Sequence, residues 1–355
     1  MLIHTLKKGL EQAALGLSRH RIDLLCKLLP ALIQTRSVNL KKLACALPGL
    51  AKVDSHYRRL QRFFQSGVSP SIFTQLIVNK LGIRGQYVTL VLDRTHWKLG
   101  ATHLNLLCLG ILYQGVSIPL LSQSLQRAGN CHTRDRKRMV RQALTYLKGC
   151  TGCILADREF IGKDWFAFLL RQQGWDFVIR IRCNRWVTLD DGQLRYLATM
   201  TKYWKRGATR TYVNVCLYRS LRLNLVVHRP HKGDPLLLVT NRSDLDQVMA
   251  QYGLRWSIET AFAFLKTKGF HLEETRLTRP DRIQLLLGLL AWALLWCLLI
   301  GLEAHQRKTI AIKKHGRRAI SVFRLGLEQL HQVICNPQHR RKKARHYAQS
   351  LLSWT

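Results

Sequence analysis

From Leu285 to Leu302 the chain reads LLLGLLAWALLWCLLIGL, eighteen residues without a charge, and a segment of that kind has only two stable homes. It is long enough to cross a bilayer as a helix, and apolar enough all round to be the central helix of a large core. Basic residues stand on both sides, as they would beside a span. No second segment of this character occurs, and a helix carrying the best-marked charged pattern of the sequence lies just before it. Those two features favour a buried core helix; a basic membrane-associated protein is the rival that rests on this run alone.

Charge narrows the partner. With 57 Lys and Arg against 20 Asp and Glu, the 355 residues carry a formal net charge of +37. An excess of that size draws phosphate backbones by releasing their counterions and excludes an ordinary metabolic enzyme as the default. Hydrophobic residues at 47% and aromatics at 8% exceed what a disordered basic arm carries, so the chain folds. Ten cysteines are scattered through it, and MLIHTLKKGLEQAALGL lacks the order of a secretory signal, which implies reduced thiols in a cytosolic compartment. Cys150 and Cys153, with Cys131 and His132 upstream, form a loose match to a zinc site. Cys153 opens the apolar run CILA, however, where a cysteine serves as a small hydrophobe.

The pattern changes several times along the chain. Residues 1–84 read as short helices: Ser37 is placed to cap a helix through Leu47, and a second runs from Val53 to Gln65 with Arg58, Arg59 and Arg62 beside aromatic residues. These three arginines are the candidate DNA contacts of a helical N-terminal region, with a solvated basic face as the alternative. Residues 85–182 give three strand-like runs, helix, strand, helix and strand, the alternation of an α/β domain with a mixed sheet. Residues 183–240 lose the helical period and carry turn signals at Asp190-Asp191-Gly192 and Lys232-Gly233-Asp234, as a β-rich insertion would. Helix returns over 241–302, and 303–355 is basic and helical, with KKHGRR from Lys313 and HRRKKAR from His339 as solvated runs or secondary DNA contacts.

In a chain so poor in acid, carboxylates at the ends of apolar strands stand out. Asp93 follows YVTLVL and Asp157 follows CILA. Beside a sheet core such a group needs a cation or hydrogen bonds, so each marks a metal site or an ion pair with the arginine that follows it, Arg94 or Arg158. Alternation of side chains along a strand weakens the second option.

The third acid lies in QYGLRWSIETAFAFLKTKG. On a continuous helix Tyr252, Arg255, Glu259 and Lys266 fall at roughly 0°, 300°, 340° and 320°, one narrow stripe. Leu254, Ile258, Ala261, Phe262 and Leu265 form an adjoining apolar face. A metal-binding carboxylate flanked by phosphate-gripping cations fits this pattern; an Arg-Glu pair four residues apart on a solvated surface is the plainer alternative.

The pattern Y-x2-R-x3-E-x6-K resembles the signature of the IS4-type DDE transposases of bacterial insertion sequences. LDRTHW around Asp93 and LADREF around Asp157 resemble that family's first two acidic motifs. The resemblance spans roughly Ser37 to Leu302. It implies an RNase H-like catalytic domain with a mixed sheet, interrupted by a β-rich insertion and flanked by helical N-terminal and C-terminal regions. It further implies that Asp93, Asp157 and Glu259 are catalytic and bind Mg2+, with Mn2+ able to substitute, and that Tyr252, Arg255 and Lys266 hold DNA near the cleaved end. The implied partners are double-stranded DNA, as transposon ends and as target, and a second copy of the chain in the synaptic complex, with no membrane. The implied setting is the bacterial cytoplasm, on the nucleoid. In some relatives a Trp before the glutamate helix takes a flipped base; here that place holds Leu236, and Trp186 and Trp204 are substitutes for which buried packing is the plainer role.

The resulting expectation is metal-dependent cleavage of transposon ends and strand transfer, in a cut-and-paste reaction passing through a hairpin. A catalytically silent DNA-binding or repressor protein and a generic metal-dependent nuclease are the alternatives.

Overall fold

Segments with apolar residues at helical spacing build the first helices, α1 (Leu2–Gln12), α2 (Arg19–Thr35), α3 (Leu40–Ala46), α4 (Val53–Gln65) and α5 (Ser71–Leu81). The structure is a computed structural model that describes residues 1–13, 15–99, 102–125, 129–314, 316–336 and 340–352. His315 and His339 of the two basic runs lie outside the described residues. Helix α4 has the bounds that the sequence predicts. The cap before α3 differs from expectation: Asn39 Oδ1 accepts from the backbone N–H of Lys41 at 2.9 Å and of Lys42 at 3.3 Å. Ser37 is drawn away because its hydroxyl donates to Glu274.

The sheet begins with β1 (Tyr87–Leu99), β2 (Thr102–Tyr113) and β3 (Val116–Leu125), an antiparallel meander. Gln114 and Gly115 between β2 and β3 both have positive φ, as a two-residue hairpin turn requires. Then come α6 (Thr133–Tyr146), β4 (Thr151–Ala156), α7 (Lys163–Leu170) and β5 (Trp175–Arg180). Strands β4 and β5 lie parallel to β1, giving the order β3-β2-β1-β4-β5 of an RNase H-like fold. One expectation is corrected: β1 does not stop at Asp93, because its pairing with β2 continues from Asp93↔Cys108 to Leu99↔Thr102 after β4 has ended.

The next segment holds β6 (Trp186–Thr188), β7 (Leu194–Tyr196), the short α8 (Leu197–Met200), β8 (Thr209–Leu217), β9 (Leu221–His228) and β10 (Leu236–Thr240). These strands continue the same sheet. β10 pairs antiparallel with both β5 and β9, so one ten-stranded sheet runs β3-β2-β1-β4-β5-β10-β9-β8-β6-β7. Burial of Leu237, Leu238, Val239 and Thr240 in succession suits a strand covered on both faces.

Helices close the chain: α9 (Val248–Gly253), a 3-10 turn at Leu254–Trp256, α10 (Ser257–Leu265), α11 (Pro280–Arg307), α12 (Val322–Cys335) and α13 (Arg341–Leu352). The apolar run forms α11, entered at Pro280 and reaching past Leu302 to Arg307. Its most apolar stretch is 83% buried within the chain, against β3, α5 and α12. Trp292 and Trp296 are fully buried, and Trp296 Nε1 donates to the Tyr347 carbonyl at 2.8 Å. This helix is the spine on which the sheet and the terminal helices pack.

Candidate active site

The last parallel rung between β1 and β4 is Leu92↔Ala156, and the next residue on each side is an aspartate. Neighbouring strands lie about 4.8 Å apart, so the sheet itself brings Asp93 and Asp157 side by side. Each accepts a hydrogen bond from the backbone N–H of the arginine that follows, at 2.8 Å for Asp93 and 2.7 Å for Asp157. Their side chains do not form the neighbour ion pairs considered above. Arg94 reaches away to Glu159 (Nε to Oε1 2.7 Å) and Asn105 (3.0 Å), and Arg158 is exposed.

Glu259 enters from the first turn of α10. Arg255 is buried, and its guanidinium lies between two of the acids, 3.5 Å from Asp93 and 3.0 Å from Glu259. Tyr252 Oη donates to Asp157 at 3.4 Å. Residues of α9 and the 3-10 turn thus contact every member of the acidic trio. The single continuous helix expected here is interrupted by that 3-10 turn, which tightens the chain and changes what it shows to solvent. Leu254, expected on the apolar face, is 37% exposed, and Trp256 is 62% exposed beside the Arg255 guanidinium.

Lys266 lies just past the end of α10, its Nζ 5.0 Å from the centre of the Trp97 ring. Trp97 is two alternations beyond Asp93 on β1, hence on the same face of the strand. The Trp97 edge contact with Phe262, at 6.1 Å between centroids, holds α10 against that face. Burial lowers the pKa of Lys266, opposed by the nearby Glu273 charge.

Burial, with Glu259 and Asp157 adding like charge, pushes the Asp93 carboxyl up to about 6, against the Arg94 N–H and Arg255. Burial and the Asp157 charge push Tyr252 up to about 12, so it is a hydrogen-bond donor at neutral pH. Crowded carboxylates of this sort favour a cation. Oxygen-only donors suit a hard divalent ion rather than zinc. Among the described residues no three His, Cys, Asp or Glu side chains are gathered into one ligand cluster, and Arg255 fills the space between Asp93 and Glu259. The donor set fits a divalent ion once that guanidinium turns to another anion. The zinc candidates are engaged elsewhere: Cys150 Sγ donates to the Ile83 carbonyl at 3.0 Å, Cys131 Sγ lies 3.1 Å from Arg136 Nε, His132 caps α6, and Cys153 is buried in β4.

Arg58, Arg59 and Arg62 are exposed on α4, apart from this cluster. Trp186, expected to pack, is 59% exposed and meets Tyr196 at 5.1 Å between ring centroids; Trp204 is half-buried under Arg210. Sequence reasoning missed Glu159 and Arg136. Arg136 is buried and donates to the carbonyls of Cys131 (2.9 Å), Glu159 (3.0 Å) and Ile161 (3.1 Å), fixing the loop that follows Asp157. The scarcity of acids was the available signal for Glu159, which stands two residues after Asp157.

A family model described as the transposase DDE domain matches residues 84–296. No curated protein sequence matches the chain. Among solved structures, the cryo-EM structure of the piggyBac transposase synaptic complex with hairpin DNA is similar over 99% of this chain and 82% of that chain, at 11% identity and a TM-score of 0.47.

Proposed function

The chain belongs to the transposase DDE domain family and is a DNA transposase, and from that premise we propose that Asp93, Asp157 and Glu259 are its catalytic, metal-binding carboxylates. Within the family the spacing of Tyr252, Arg255, Glu259 and Lys266 supports the IS4 type. The observation that carries the site is the buried Arg255 guanidinium held between Asp93 and Glu259 while Tyr252 reaches Asp157.

Mg2+, or Mn2+ in its place, when bound by these carboxylates stabilises the charge on the attacking and leaving oxygens of a phosphodiester displacement. Arg255 is the phosphate clamp, its planar fork matching two phosphate oxygens. Lys266 adds a point charge beside Trp97, and Tyr252 donates a hydrogen bond to the backbone near the cleaved end. Arg58, Arg59 and Arg62 hold duplex DNA away from the chemistry. In this reading a nicked end exposes a 3′ hydroxyl that attacks the opposite strand to form a hairpin, and the reopened end joins target DNA. A second copy of the chain completes the synaptic complex, and the reaction runs in the bacterial cytoplasm without a membrane partner.

The test is incubation with linear DNA carrying the inverted repeats that flank the reading frame. Wild type nicks these ends in Mg2+ and joins them to a second DNA. Asp93→Asn, Asp157→Asn and Glu259→Gln bind the ends in Ca2+ but leave them intact in Mg2+. Near wild-type cleavage by Asp157→Asn would refute the assignment. Binding without nicking by wild type would favour the silent binder, and nicking without joining the generic nuclease.

A further inference from the structure

Away from the acidic cluster, a cavity of about 450 Å³ opens between helices α3 and α4 on one side and the segment leading from Leu272 into α11 on the other. Four cations line it, and of these Lys42 is paired with an acid, Glu274. Lys41 and Arg276 are exposed and Arg282 is half-buried, and among the described residues none of the three forms an ion pair. Arg282 Nε is buried without a hydrogen-bond partner. Of the nearby acids, Glu274 is committed to Lys42 at 2.8 Å and to Ser37, and Asp281 to Arg279 at 3.2 Å, while Glu273 is exposed. Besides Lys41, the wall facing Arg276 and Arg282 carries Tyr57, Gln61 and Gln65, one stripe of α4 at four-residue spacing and so a different face from the Arg58–Arg62 stripe. These are neutral donors of the kind that meet phosphate oxygens.

One stretch of chain connects the groove with the acidic cluster. The segment that leaves Lys266 passes through a 3-10 turn at Leu272–Glu274 packed against β1, and reaches Arg276 directly afterwards.

We infer that this groove holds the phosphodiester backbone of the duplex adjoining the cleaved end, with Lys41, Arg276 and Arg282 as its phosphate contacts. The inference rests on the transposase reading only for the identity of the polyanion. Each phosphate contact contributes about 0.9 to the slope of log affinity against log salt, and contacts to backbone carry no sequence information.

Binding of the full-length chain to a duplex carrying the flanking inverted repeat, and to a scrambled duplex of equal length, is measured by fluorescence anisotropy in Ca2+ across a salt series. Lys41→Ala/Arg276→Ala changes two exposed side chains, so folding is retained, which circular dichroism checks. Its salt slope should fall by about 2 on both duplexes, and adding Arg282→Gln should lower it by about 1 more. An unchanged slope, or a loss confined to the inverted-repeat duplex, would overturn the groove assignment. Nicking of the same duplex by wild type in Mg2+ is followed in parallel. Nicking with an unchanged variant slope defeats the groove alone. A reduced variant slope without any nicking leaves the groove standing and defeats the catalytic reading.

Discussion

Arg255 meets Asp93 across 3.5 Å although 162 residues separate them in the chain. The Arg255 side chain is 8% exposed, and its second terminal nitrogen is 3.0 Å from Glu259, so it neutralises two of the acids that a divalent ion would use. Cation and metal compete for the same carboxylates, and a phosphate from DNA is an anion that can take the guanidinium away. Arg255→Gln should therefore bind Mn2+ more tightly than wild type in the absence of DNA, read by calorimetry, while losing roughly 100-fold or more in end cleavage for want of the phosphate donor. Equal or weaker Mn2+ binding by the variant would count against the competition.

Much of this site is legible in the sequence, and the parts that are not share a cause. Asp93 and Asp157 stand out because apolar strands precede them, and Glu259 because its helix carries a stripe. Interaction between elements is what local pattern omits. The 3-10 turn at Leu254–Trp256 covers three residues, too few for periodicity to distinguish it from α-helix, so Leu254 is assigned to the wrong face. β10 is apolar on both sides, which marks it as central but not as the partner of β5. The salt bridge from Arg94 to Glu159 depends on the register of β1 with β4, which no short window contains.

That salt bridge ties together the two aspartate segments. Arg94 follows Asp93, Glu159 follows Asp157 by two residues, and their side chains meet at 2.7 Å with each 20% exposed. Glu159 also contributes its backbone carbonyl to Arg136. Glu159→Gln keeps the shape and weakens the bond, at about 2 kcal/mol of stability. If the pair positions the aspartates, the Mg2+ concentration for half-maximal cleavage rises several-fold while affinity for the end duplex in Ca2+ is unchanged. Glu159→Asp should recover part of the loss. Parallel loss of folding and cleavage, with the metal requirement unmoved, would mean a purely structural bond.

Glu274 links the N-terminal helices to the catalytic half. Hydrogen bonds from Lys42 and Ser37 hold its carboxyl below the ordinary value of 4.5. The unfolded chain then binds the proton more readily, so stability from this group is present above pH 4.5 and is lost as pH falls through the lower folded value. The side chain is 35% exposed, and solvent screening limits the effect to below about 1 kcal/mol. Urea midpoints of wild type and Glu274→Gln should differ at pH 7 and converge below pH 4.5. A gap that persists undiminished at pH 3.5 would assign the effect to something other than this charge.

Helix α11 supports the sheet only because α12 can cross it closely. A Cβ added at Gly326 would fall 1.7 Å from the Cys297 carbonyl oxygen, and one at Gly301 would fall 2.0 Å from that of Val322. Both obstacles are backbone, which cannot rotate aside. Alanine gains up to about 1 kcal/mol over glycine within a helix, but overpacking a rigid contact costs about 3 kcal/mol, so the clash decides the sign. Gly326→Ala should lower the urea midpoint by a corresponding amount, and cleavage should fail at temperatures where wild type still works. Gly253, where an added Cβ meets nothing within 4 Å, supplies the contrast: Gly253→Ala should leave stability unchanged or raise it slightly. Because α11 packs directly on β3, the loss at Gly326 should appear as a cooperative melting of the whole catalytic half, with far-UV and tryptophan signals falling together. Melting of α12 alone, with the environment of Trp292 undisturbed, would show that the crossing does not bear on the sheet.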